Sequence, residues 1–218
     1  MMSATKQLSH IHSSKLETTF WKNNLVLIWL ALLILALFIP SVQATNTKDW
    51  LLSNESNKTV MTEHQIWQKL LDKYLVNQHP SGVNLFNYKH ISIEDKKKLK
   101  DYLVRLQAKD PRTYNKAVQK AYWINLYNAL TVQLILDNYP VESITKLGSS
   151  FFSFGPWDDD AATISGIVLS LNDIEHKILR PIFKDPRIHY AVNCASYSCP
   201  NLSATAYTAS NTDALLNQ

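Results

Sequence analysis

Every residue from Leu25 to Ile39 is apolar, whereas most later hydrophobic residues stand at helical or strand spacing. The run follows Lys15 and Lys22 and precedes Pro40 and the small-residue pattern Val42-Gln43-Ala44, the layout of a secretory signal. Fifteen apolar residues suit a signal h-region better than a span of a hydrocarbon core about 30 Å thick, which takes about 20 residues. The segment 1–44 is therefore expected to be a signal peptide cleaved after Ala44. The alternative is an uncleaved membrane anchor, with Phe20 and Trp21 at the interface. With the positive flank inside, both place the remainder outside the cytoplasm, periplasmic or membrane-anchored facing the periplasm, with residues 25–39 as the route of membrane association.

Residues 45–59 are polar apart from Trp50, Leu51 and Leu52 and are expected to form a linker. Helical spacing starts with Ile66, Leu70, Leu71, Tyr74 and Leu75, and His79-Pro80-Ser81-Gly82 stops it. Ser92-Ile93-Glu94-Asp95 predicts a capped helix start whose apolar face is Leu99, Leu103 and Leu106. Tyr114 to Asn138 reads as a third helix, apolar nearly all round and hence central, which Pro140 ends.

An aromatic loop follows over Gly148 to Asp160, with Phe151, Phe152, Phe154 and Trp157 plugging the core or covering the Cys194 region. Asp158 to Asp160 reads as a turn, since it lacks the alternating ligands of a calcium loop. Ala162 to Leu169 suggests a hairpin, and a short helix runs from Asn172 or Asp173 to Leu179 before Pro181. Arg187 to Asn193 alternates as a strand, with Ile188, Tyr190 and Val192 on one face, and a last helix spans about Thr208 to Leu216. The fold class expected is α+β: mainly helical with a small antiparallel sheet carrying the Cys194 region, one domain over 60–218.

Composition narrows the function classes. The chain of 218 residues is 46% hydrophobic and 18% charged, so a folded domain is expected, and only 4 Gly argue against a Gly-rich nucleotide loop. Its net charge of +4 falls to +2 without the first 44 residues, too weak for a nucleic-acid partner. The dense run Lys96-Lys97-Lys98 with Lys100 is interleaved with Glu94, Asp95 and Asp101, as in a solvated helix face.

Cys194 is the candidate nucleophile, because a thiol beside a base attacks acyl centres. His176 is the favoured base, arriving from a separate helix, with Glu175 or Asn125 to orient it and His189 supporting the pocket. Asn125 and Asn128, three apart, share one face of the central helix; they either orient an imidazole and an oxyanion or tie down the chain crossing that helix. Asn128, Asn193 and Tyr197 are the candidate binding residues. Against the nucleophile stands the pairing of the two cysteines, Cys194 and Cys199, as a disulfide in an exported chain. A metal set of His176, His189, Glu175 and Cys194 has neither HxxxH nor paired CxxC spacing, so neither metal nor other cofactor is expected.

Three stretches carry a family resemblance. They are Ala121-Tyr122-Trp123-Ile124-Asn125-Leu126-Tyr127-Asn128-Ala129-Leu130, then Leu169-Ser170-Leu171-Asn172-Asp173-Ile174-Glu175-His176-Lys177-Ile178-Leu179-Arg180-Pro181, then Asp185 to Leu202 with Asn193-Cys194-Ala195-Ser196-Tyr197-Ser198-Cys199-Pro200. In order and spacing they resemble the DUF547 family, a domain of unknown function, as an exported bacterial member whose best-matching core is 112–218. The resemblance implies that the domain continues beyond the C-terminus of this chain. It implies no settled reaction. Two readings follow from the residues: an extracytoplasmic Cys-His thiol hydrolase or acyl-transfer enzyme, and a non-catalytic envelope binding or assembly module with a structural Cys194–Cys199 disulfide. The partner in either is an unidentified small molecule or peptide.

Overall fold

The computed structural model describes residues 50, 59–148, 155–196 and 198–218. The signal or anchor segment, the linker apart from Trp50 and Thr59, Phe151, Phe152, Phe154 and Tyr197 lie outside the described residues. Among the described residues no helix is long and apolar enough to cross a membrane.

The architecture is mainly helical with two small antiparallel sheets. Helix α1 (His64–Tyr74) buries His64, Trp67, Leu70, Leu71 and Tyr74, one stripe at three- and four-residue steps. It ends earlier than its spacing suggests, because Leu75–Val76 (β1) leaves the helix to pair antiparallel with Leu85–Phe86 (β2). Helix α2 (Ile93–Gln107) begins as expected: the Ser92 hydroxyl accepts from the Asp95 backbone N–H at 3.1 Å. The reciprocal half of the cap is relayed. The Ser92 N–H donates to the Tyr74 hydroxyl, which donates to the Asp95 carboxylate at 2.6 Å.

Helix α3 (Lys116–Asp137) is capped by Asn115, whose side chain accepts from Val118 N, and is buried nearly all round. Against it pack α1, α2 and the segment after residue 172. Trp50 is fully buried, edge-on to Trp123 at 5.0 Å, so the packed core takes in a residue of the expected linker. The lysines of α2 do sit on a solvated face, where Lys97 pairs with Asp101 and Lys98 with Glu94.

The second sheet is the expected hairpin, Asp160–Ile164 (β3) against Ile167–Ser170 (β4). From Asp173 to Leu179 the chain is a π-helix, and it continues into a short helix α4 (Arg180–Phe183). Pro181 therefore does not close the helix. It sits in the first turn of α4, directly after the π turn whose last bond runs from Arg180 N to Glu175 O.

The expected strand over 187–193 is instead a 3-10 helix, Pro186–Tyr190. Pro186 fixes a helical φ, the Asp185 carboxylate caps Arg187 N, and Ala191 N donates to Ile188 O at 2.9 Å. Ile188 is fully buried while Tyr190 is 68% exposed, a split that strand alternation would not produce. The Cys194 region consequently belongs to neither sheet. The last helix, α5 (Thr212–Leu216), starts later than expected because residues 208–211 form a turn in which the side chains of Thr208 and Asn211 bind each other's backbone N–H.

Candidate functional site

Two buried amides on α3 organise the site. Asn125 donates to Tyr207 O at 2.7 Å and accepts from Tyr207 N at 3.0 Å. One turn on, Asn128 donates to Ala191 O and accepts from Asn193 N, both at 2.8 Å. Each amide thus satisfies a backbone donor and acceptor on a segment that crosses the helix, as a strand partner would. Of the two roles weighed for these residues, tying down the crossing chain is the one their bonds perform. Asn125 orients no imidazole through these bonds.

The clamp at Asn128 sets up the cysteine loop. Asn193, its backbone held by Asn128, donates from its side chain to Pro200 O at 2.7 Å and accepts from Ala195 N at 3.0 Å. Cys194 and Cys199 are bonded to each other across the loop, with Cα atoms 5.8 Å apart. In this oxidised form Cys194 has no thiolate with which to attack a substrate. Ala195 takes φ +54°, the left-handed region that a Cβ disfavours. Replacing Ala195 with Gly is therefore expected to raise stability by roughly 0.5–1 kcal/mol, read as a higher urea midpoint at unchanged slope. The loop forms one wall of a groove of about 390 Å³, to which Asn193 and Ser196 contribute on one side and Asn84, Tyr88, Tyr139 and Ser143 on the other. Tyr88 and Tyr139 stack at 6.5 Å along it, and burial pushes the Tyr88 hydroxyl well above its ordinary pKa.

Glu175 and His176 lie on the neighbouring π-helix and His189 on the 3-10 segment. The carboxylate of buried Glu175 is held by Arg180, which donates to Glu175 Oε1 from Nη2 at 2.6 Å and from Nε at 3.0 Å. It does not orient His176 through these bonds, and the His176 side chain is exposed. Arg180 Nη2 also approaches His189 Nδ1 at 3.2 Å. Behind Glu175 stands Tyr127 of α3, whose hydroxyl is pushed upward by burial and by the adjacent carboxylate. The structure therefore joins Tyr127, Glu175, Arg180 and His189 in one chain from the core to the surface.

Arg180 is the member sequence reasoning missed. Residues five apart do not share a face of an α-helix, but the wider π turn stacks them: Arg180 N donates to Glu175 O, and the two side chains meet above that bond. The signal available was a Glu and an Arg five residues apart, ahead of Pro181, in a stretch already assigned to a helix.

Residues 111–218 match the family model described as a protein of unknown function, DUF547. Over those residues the chain belongs to the DUF547 family. All three stretches quoted for the resemblance lie inside the match, as do both clamps, the disulfide loop and the Glu175–Arg180–His189 chain. Helices α1 and α2 and the first sheet precede it; both helices pack against α3, and Asn84 and Tyr88, on either side of β2, line the groove together with Tyr139 and Ser143 of the matched region. No curated protein and no solved structure matches the chain.

Proposed function

We propose that this protein is an extracytoplasmic, non-catalytic binding or assembly module of the envelope, whose recognition surface is built on the disulfide loop and its groove. The observation that carries the reading is the bond between Cys194 and Cys199, within a loop already fastened to α3 by Asn128 and Asn193. A disulfide suits an oxidising compartment, and the apolar run at Leu25–Ile39 supplies the route there, as a cleaved signal or as an anchor. A rigid loop beside a groove lined by aromatic, amide and hydroxyl groups suits a small-molecule or peptide ligand.

Intact-mass analysis of the exported, unreduced protein, with and without alkylation, tests this. The expected spectrum shows two protons fewer than the dithiol and no alkyl adduct. Adduct formation at Cys194 without reduction would overturn the reading and return the thiol hydrolase, with His176 or His189 as base, to first place. The disulfide also has an energetic signature. Cys194→Ala combined with Cys199→Ala, opening a loop of sequence separation 5, is expected to cost about 2 kcal/mol in urea unfolding.

A further inference from the structure

Arg180, Lys184, Asp185, Pro186 and His189 line a cleft of about 260 Å³ at the outer end of the Glu175 chain. We propose that this cleft binds a phosphate group, with Arg180, Lys184 and His189 as its donors. The inference rests on the binding-module reading and names a ligand class for this part of the site.

Three features of the cleft support phosphate. First, the guanidinium is already oriented: Glu175 fixes it through Nε and Nη2, which leaves Nη1 for a ligand. A side chain held in advance loses little freedom on binding. Second, the tautomer of His189 is set. A guanidinium only donates, so His189 Nδ1 accepts from Arg180, and the neutral ring carries its proton on Nε2 as a further donor. Third, the wall carboxylate is spent. Both oxygens of Asp185 are taken, by Arg187 at 2.9 and 2.8 Å and by Lys120 at 2.9 Å, which holds the acid well below the usual carboxylate range.

With Asp185 neutralised from behind and Arg180 balanced by Glu175, Lys184 supplies the net positive charge. Donors on three separate side chains suit the several oxygens of a tetrahedral phosphate better than the two of a carboxylate. The volume leaves space for an ester substituent, so either a soluble phosphate ester or a phospholipid headgroup meets the description.

Isothermal titration calorimetry on the full chain freed of detergent, with inorganic phosphate, glycerol 3-phosphate and phosphatidic acid nanodiscs, tests the assignment. Saturable heats with either soluble phosphate identify a soluble source, and saturation with the nanodiscs alone identifies a headgroup. Lys184 holds φ +51°, so Lys184→Gly removes the charge from a backbone position that glycine prefers. It is expected to stay folded and to weaken binding about tenfold, with a similar loss in His189→Gln. In the wild type, phosphate should also move the Nε2 nitrogen resonance of His189. Absence of saturation with all three probes, or equal affinity in Lys184→Gly and wild type, would overturn the proposal. Such a failure leaves the disulfide test untouched, and a free Cys194 in the mass spectrum would leave phosphate binding standing.

Discussion

Asn128→Ala is expected to lower the stability of the protein by about 3–5 kcal/mol, far more than an average polar-to-alanine change. The amide is 2% exposed and makes two bonds to backbone, so alanine strands both Ala191 O and Asn193 N with no replacement. A buried group without its partner forfeits its full solvation, about 1–3 kcal/mol each, beyond the modest net value of the bond itself. Urea unfolding reads the loss, and hydrogen exchange should accelerate at the amides of Asn193 and Ala195. Asn125→Ala should cost a similar amount but loosen Tyr207 instead. A purely catalytic asparagine would give the opposite result, with stability nearly unchanged.

Acid should weaken the protein well above the range in which carboxylates titrate, and His64 is the reason. Its ring is buried at the start of α1, Nδ1 meets the Tyr102 hydroxyl at 2.9 Å, and Nε2 has no partner among the described residues. Burial holds its pKa down to about 4, against a weaker upward pull from Glu63. Below the ordinary value near 6.5 the unfolded chain takes up a proton that the native chain refuses. Native stability therefore falls by about 3 kcal/mol as the pH drops from 6.5 to 4, and this contribution is constant below that.

Two ion-paired carboxylates act in the same direction in a lower window. Asp95, held down by Lys73, Tyr74 and Lys98, and Asp185, held down by Arg187 and Lys120, stabilise the native state above the ordinary carboxylate pKa and lose that effect below pH about 4. Urea midpoints across pH 7 to 3 separate the windows. His64→Gln should flatten the upper limb and leave the lower one. An upper limb unchanged in that variant would assign the acid sensitivity to another group.

The parts of this fold that were legible in advance are those governed by neighbours along the chain. Ser92 caps α2 because a short hydroxyl reaches the N–H three residues on, and α3 is central because no face of it is polar enough to meet water. The Ile164-Ser165-Gly166-Ile167 turn makes the β3–β4 hairpin, with Ser165 and Gly166 both at positive φ as its tight connection requires. Alternation at 187–193 misled because Ile188 and Val192 are buried in either conformation, and Pro186 with the Asp185 cap tips the local balance toward a 3-10 turn.

The amino-acid sequence alone determined the central helices, the placement of Asn125 and Asn128 on one face of α3 and the bonding capacity of each candidate side chain. Tertiary structure alone decided how that capacity is used. Asn128 finds Ala191 at a separation of 63 residues and Asn125 finds Tyr207 at 82, and no local rule ranks those partners above an imidazole. The Glu175–Arg180 contact depends on a π turn whose five-residue spacing ordinary helical periodicity does not anticipate. An amide, a carboxylate or a thiol states what it can bond to; which group arrives opposite it is settled by how the apolar faces of distant segments close on α3.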